Sequence, residues 1–359
     1  MSTREEVDAM IETFDRAIRS RPDYPLQIVV LAEVVSRRGH RVRAMELCRR
    51  AAALDPGNRE LAAEVRRVLE NVVSRYHIPM MTDARRNEAW DAALRRAIRP
   101  GAYVLEIGTG AGMLAMMAAR AGARVVTCER DRLLATLARE VIALNGLGDR
   151  ITVINKPSQN LQVGSDLERP ADLLFCDLFS NTFLDFDPLD TIADATRLLA
   201  ETAAIMPQAG AIRVALTHRP DFLNPEDLRS TAGFNLSPLA PFLPPAWLLT
   251  ENAATTSLLS RPADAFRFDF RDPPAPTPAR ATLPMEVTRD GVVNGIVQWI
   301  RLDLDAQTAL EGAPDDDRPY FVLPVFYQLA ANIPVRRQDV VTVNVKHNRR
   351  RVTIWIEER

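Results

Sequence analysis

Val104-Leu105-Glu106-Ile107-Gly108-Thr109-Gly110-Ala111-Gly112 decides the fold. A short apolar strand ends, three glycines follow at alternate positions, and a helical pattern over 113–121 begins. Glycines there let a ligand approach the backbone, and a helix N-terminus offers unsatisfied N–H groups. Seventeen residues past Gly112, at the end of the next apolar run, stands Glu129, placed to take both hydroxyls of a ribose. The spacing is Gly-X-Gly-X-Gly, not the dinucleotide Gly-X-Gly-X-X-Gly, and Glu106 immediately precedes it. A pyrophosphate would be repelled by that carboxylate, whereas a ligand carrying an ammonium and a sulfonium would be attracted. The stretch therefore selects S-adenosyl-L-methionine (SAM), with S-adenosyl-L-homocysteine as product, over NAD.

Outward from this stretch, strands are expected over 104–107, 124–128, 151–154 and 172–176, and helices over 113–121, 133–145 and 191–204. That alternation predicts an α/β class, a Rossmann-like parallel sheet, over 72–217. Towards the N-terminus, residues 1–71 read as helices. Arg21-Pro22-Asp23 and Asp55-Pro56-Gly57 form similar turns 34 residues apart, a tetratricopeptide-like period. So short an array cannot bury a core alone and is expected to dock on the rest of the chain or on a second chain. Towards the C-terminus, prolines punctuate 220–249, and alternating strands follow over 265–270, 295–304, 322–329, 340–345 and 352–356. Residues 218–359 are expected to form a β-barrel or sandwich domain with an inserted arm at about 220–249.

Composition removes other classes. The 359 residues carry 45 Lys+Arg against 47 Asp+Glu, so no global positive field favours nucleic acid. Cys48, Cys128 and Cys176 are far apart and odd in number, which fits a reducing cytoplasm and neither a disulfide framework nor a metal site. No segment is apolar enough to span a bilayer, so no membrane partner is expected.

Tyr76-His77-Ile78-Pro79-Met80-Met81-Thr82-Asp83, then Arg85-Arg86-Asn87-Glu88-Ala89, with the glycine loop and Glu129, resemble the protein arginine methyltransferases. The likeness is strongest to the divergent branch holding the tetratricopeptide-bearing and monomethylating members, and covers roughly 72–357. It implies a SAM-dependent transfer of methyl to a guanidino nitrogen of arginine. It implies that the segment from Tyr76 folds over the cofactor, that Arg86 holds the SAM carboxylate, and that Met80 lies near the transferred methyl. Val153-Ile154-Asn155-Lys156-Pro157-Ser158 resembles the family's adenine-binding turn, which brings in Lys156 and Ser158. With Glu106, Gly108, Gly110, Gly112 and Glu129 these form the expected cofactor set.

The family grips its substrate guanidinium with two glutamates nine residues apart. Here Asp177 stands at the first position and Phe186 at the second, flanked by Asp185 and Asp187. Asp177 with Asp185 or Asp187 forms the expected catalytic set. Two carboxylates would fix the planar guanidinium and localise its charge on one nitrogen. In place of the family's Thr-His-Trp loop stands Pro319-Tyr320-Phe321, so Tyr76, Tyr320 and Phe321 are the expected substrate contacts. These departures favour free L-arginine, giving Nω-methyl-L-arginine in a bacterial biosynthetic pathway. The alternatives are arginine residues in proteins or peptides, and a degenerate binding protein. Phe222, Leu223, Phe242, Leu243 and Trp247 in the arm imply burial against a second subunit, hence a homodimer.

Overall fold

The computed structural model describes residues 4–70, 72–73, 76–222, 225–250, 256–272, 277–314 and 322–357, with the side chains of 225–227 excepted. Tyr320, Phe321 and Leu223 lie outside the described residues. Four helices come first: α1 (Arg4–Ile18), α2 (Tyr24–Arg37), α3 (Arg41–Leu54) and α4 (Arg59–Leu69). Pro22 and Pro56 both sit in the turns between helices, where a ring that cannot continue a helix is at home. Asn58 caps α4 by accepting from the Leu61 N–H at 3.0 Å. Ile28, Ala32, Val35, Ala44, Cys48, Ala51 and Leu61 are fully buried in a core that these helices make among themselves.

The parallel unit follows as α5 (His77–Thr82), α6 (Ala84–Ala97), β1 (Tyr103–Ile107), α7 (Met113–Arg120), β2 (Arg124–Cys128), α8 (Arg132–Leu144), β3 (Ile151–Ile154), β4 (Ala171–Cys176), α9 (Pro188–Ala195) and β5 (Leu199–Met206). The strands order as β3-β2-β1-β4-β5, with every neighbouring pair parallel. All five residues of β1 are buried, as a central parallel strand requires. Chain order reverses between β1 and β4, and ligands bind beyond the carboxyl ends of strands at such a switch point. In register, Ile107 lies between Cys128 and Cys176. The three strands thus end level, and Gly108, Glu129 and Asp177 emerge side by side.

Against the expectation for so short an array, the helical prefix has a core of its own, and it also docks on the parallel unit. Met45 and Val72 bury against Leu133 of α8, and Arg49 forks onto both oxygens of Glu140 at 2.8 Å.

Two expectations change here. The helix expected over 191–204 ends at Ala195, and 199–206 is strand β5, pairing Ala204 with Leu173 and Ile205 with Leu174. The alanines of 199–206 suit a helix by propensity, but the open edge of β4 overrides it. The next strand, β6 (Ala209–His218), leaves the parallel sheet and runs antiparallel to a later strand, β11 (Gly291–Asp303).

The C-terminal region adds β7 (Ala246–Leu248), β8 (Ser257–Leu258), β9 (Ala263–Asp269), β10 (Ala279–Glu286), β11 (Gly291–Asp303), β12 (Ala309–Glu311), β13 (Val325–Val335), β14 (Val340–His347) and β15 (Val352–Ile356). One sheet runs β7-β13-β11-β6-β8, with β12 also on β11 and β9 also on β6; a second runs β10-β14-β15. Of the two expected forms, a closed barrel is absent among the described residues. The larger sheet ends on strands of three and two residues, too short to pair its edges into a ring.

A single core joins the parallel unit to these sheets. Its keystone is Phe183, a non-glycine residue at φ +78° in the loop after β4. Its buried ring packs 5.0 Å from Phe179 and 5.2 Å from Phe268, in the space a side chain at Gly210 would occupy. A Cβ on Gly210 would stand 2.5 Å from that ring, which has no room to retreat. Gly210→Ala should therefore cost about 1–3 kcal/mol of stability, read as a lowered urea midpoint.

Candidate active site

The glycine loop after β1 is built for close approach. Gly108 sits at φ +87°, and a Cβ there would strike Leu178 Cδ2 at 2.6 Å. Gly110, at φ +52°, has nothing within 4 Å of where its Cβ would be, so its face is open to a ligand. Gly112 starts α7.

Glu129 closes one side. Its Oε2 accepts from the Gly110 N–H at 3.1 Å and its Oε1 from the Asp131 N–H at 2.9 Å. Burial raises its pKa, and the two N–H groups oppose that rise. Its carbonyl accepts from Asn155 Nδ2 at 2.8 Å, which ties the turn after β3 to the site. Ser158 is buried in that turn. Lys156 faces elsewhere: its Nζ pairs with Asp166 at 2.5 Å on the surface.

Glu106 lies beneath the loop, 1% exposed. It accepts from Thr127 Oγ1 at 2.5 Å, and Thr127 in turn shares a hydrogen bond with Thr109 at 2.6 Å. Burial pushes its carboxyl up to about 8, while Thr127 and the positive Arg86 pull the other way.

Arg86 enters from the first turn of α6, where Asp83 caps the helix by accepting the Arg86 N–H at 2.9 Å. Its Nε and Nη2 both reach Asp177 Oδ2 at 2.7 Å, and Nη1 donates to Asn87 Oδ1 at 3.0 Å. Both side chains of the pair are nearly buried, at 4% and 6% exposure. The residue expected to hold the cofactor carboxylate and the residue expected to hold the substrate are thus each other's partners here. Asn87 Nδ2 also donates to the Met81 carbonyl at 2.8 Å, which ties α5, with Met80 partly buried on it, to the first turn of α6. Tyr76, at the start of α5, stacks on His77 at 4.3 Å and lies 6.4 Å from the Phe186 ring.

The acid loop separates Asp185 from Asp187. Asp187, at φ +52°, starts α9 and pairs with Arg350 Nε at 3.1 Å. Asp185 is exposed, near enough to Tyr327 of β13 for its charge to add to the burial that pushes that phenol up to about 12. The loop is tied to the sheets by Gln298 Nε2, which donates to the Asn181 carbonyl at 3.0 Å, and by Asn181 Oδ1, which accepts the Leu323 N–H at 2.8 Å. Sequence reasoning missed Asn181, Gln298, Thr127 and Asp131. Of these only Asp131 carries a local signal, an acid directly before an apolar helical run.

The donor set suits SAM. A buried cation, a carboxylate whose pKa burial raises, and a second carboxylate beside an open glycine match a carboxylate, an ammonium and a ribose diol. Among the described residues no cluster could hold a metal ion.

Comparison with known proteins agrees. Residues 92–206 match the family described as ribosomal protein L11 methyltransferase (PrmA). The chain is 32% identical over 286 residues to arginine N(omega)-methyltransferase of Streptomyces achromogenes subsp. streptozoticus, covering 76% of each protein. It is 28% identical to protein arginine N-methyltransferase 7 of Oryza sativa subsp. indica over 76% of this chain, and spans 43% of that longer protein. The fold matches the Trypanosoma brucei PRMT1 enzyme-prozyme heterotetrameric complex with AdoHcy at a TM-score of 0.66 and 19% identity, over 76% of this chain and 87% of that one. The chain belongs to the protein arginine methyltransferase family. It is a SAM-dependent enzyme of that family, and SAM is its cofactor.

Glu106 is expected to make cofactor binding pH-dependent. A cation seated beside it favours its ionised form, so cofactor affinity should rise with pH towards about 8 and binding should release a proton below that. Without ligand the sign is opposite. A raised carboxyl pKa contributes stability that is fully present below about 4.5 and lost as pH rises through about 8. Calorimetry in buffers of different ionisation enthalpy should show the proton release, and Glu106→Gln should abolish it.

Proposed function

We propose that the enzyme methylates a guanidino nitrogen of free L-arginine, releasing Nω-methyl-L-arginine and S-adenosyl-L-homocysteine as one step of a bacterial biosynthetic pathway. The observation that carries this reading is Asp177, a nearly buried carboxylate at the sheet edge already shaped to a guanidinium, that of Arg86. The cofactor supplies an electrophilic methyl on its sulfonium. Arg86 takes the cofactor carboxylate, which frees Asp177 to grip the substrate. Glu129 holds the ribose, Glu106 faces the ammonium, and Met80 on α5 covers the methyl. Asp185 is taken as the second acid, because it lies near Tyr327 of β13, whereas Asp187 starts α9 and faces Arg350 at the surface. The two carboxylates align the guanidinium, leave one nitrogen less delocalised, and accept the proton that nitrogen sheds as its C–N bond forms. Asp185, exposed to solvent, passes that proton on. Tyr76 and Phe186, whose rings lie 6.4 Å apart, bound the substrate.

Free arginine is favoured by the similar spans shared with the Streptomyces protein, 76% of each chain. Arginine in proteins is the second reading, favoured by the likeness to the plant enzyme. Purified protein with SAM and L-arginine, beside an arginine-rich peptide, should yield methylarginine by mass spectrometry. Methylation of the peptide alone would refute the small substrate, and of neither would indicate a binding protein. Asp177→Asn should lower turnover by roughly 10²–10³ with cofactor affinity kept or raised, since Arg86 loses a competing carboxylate. Asp185→Asn should be severe and Asp187→Asn mild.

The arm supports a homodimer. Phe234, Leu239 and Phe242 are exposed on it, Phe242 at 82%. Phe222 and Trp247 turn inward instead, Phe222 packing 4.7 Å from Phe326 and 5.7 Å from Trp247. Phe242 is thus the partner-facing residue, with Leu243 half-buried beside it. Light scattering should give twice the chain mass, and Phe242→Asp should give a monomer of reduced activity; an active wild-type monomer would refute this. No helix among the described residues is long and apolar enough to cross a membrane. With three buried, free cysteines, a cytoplasmic setting fits. The prefix is read as a tetratricopeptide-like pair of repeats.

A further inference from the structure

We infer that Arg41, on the N-terminal helices, is a positioning residue for the cofactor site, acting through Asp131 on the Glu129 carboxylate. The inference rests on reading Glu129 as the ribose-binding acid. Asp131 makes three attachments at once. Its Oδ1 caps α8 by accepting from Leu133 N at 2.9 Å and Leu134 N at 3.3 Å. Its own N–H donates to Glu129 Oε1 at 2.9 Å. Its Oδ2 accepts from Arg41 Nη2. Arg41 is braced from the other side, where Nη1 donates to the Val72 carbonyl at 3.1 Å.

Beneath this linkage Met45, Val72 and Leu133 bury together, so Arg41 stands on packed ground and not on a loose loop. The pair is partly exposed, at 39% for Arg41 and 23% for Asp131, so water screens it in part and its effect on Glu129 is modest. The Glu129 carboxylate has one backbone N–H from the glycine loop and one from Asp131. Without Arg41, Asp131 keeps its role at α8 but loses the cation that sets its angle, and the second N–H loses its aim. The linkage acts before ligand arrives, so it changes affinity and leaves the chemical step alone. Arg49 and Glu140 join the same two units farther along α8, at no residue in contact with Glu129. That pair separates docking from positioning.

The experiment measures S-adenosyl-L-homocysteine affinity by calorimetry, steady-state constants for SAM and melting temperature, on full-length variants. Arg41→Ala should weaken binding and raise KM for SAM together by about 5–10-fold, with kcat within twofold. Arg41→Lys should recover most of the affinity. Arg49→Ala should lower the melting temperature without moving affinity or KM. Wild-type affinity in Arg41→Ala, with binding abolished in Glu129→Ala, would overturn the linkage alone. Equal weakening by Arg41→Ala and Arg49→Ala would also overturn it, because docking as a whole would then set affinity. Retained affinity in Glu129→Ala would overturn the ribose assignment and the linkage with it.

Discussion

Everything at the site follows from three parallel strands ending level. Because Ile107 aligns with Cys128 and with Cys176, the next residues of each strand share one edge. Acids there are crowded into a region that water has largely left: Glu106 and Glu129 are both buried, and Asp177 is nearly so. Gathering like charges out of water is costly unless a cation joins them or a proton stays on. The protein uses both remedies. Arg86 neutralises Asp177, and Glu106 retains its proton near neutrality. The site is electrostatically incomplete in a way that a zwitterionic ligand with an extra positive charge completes.

The parallel half was legible in the sequence because its signals are local. Strands β2 and β3 begin and end where the apolar runs do, and the glycine spacing with Glu106 and Glu129 pointed to the cofactor without any tertiary knowledge. What failed to show was decided by distant partners. Residues 199–206 became a strand because β4 needed a neighbour, against the helical leaning of their alanines. Asp185 and Asp187 are chemically identical and two apart; their different surroundings, Tyr327 near one and the start of α9 with Arg350 at the other, come from distant elements. Lys156, grouped with the adenine turn by resemblance, spends its charge on Asp166 instead. The mutual pairing of Arg86 and Asp177 could not be read at all, since 91 residues separate them.

The helical prefix has a different relation to the enzyme from the C-terminal sheets. The sheets share a continuous core with the parallel unit, so their contact is extensive and apolar. The prefix has its own core and meets the enzyme through a small cluster and a few charges. An interface of that kind is the sort expected between a module and its host, weaker and more polar than a shared core.

Phe183 and Gly210 illustrate a constraint of another sort. One residue tolerates an unfavourable backbone so that its ring can enter the space that the other leaves by having no side chain. Neither position has a free choice while its counterpart is fixed. In the evolutionary record of such proteins the two should vary as a unit, a smaller ring or aliphatic group at 183 accompanying any side chain at 210. The acid loop therefore inherits its shape from a glycine in another sheet, and drift in that remote strand is transmitted to the loop that carries Asp185 and Asp187.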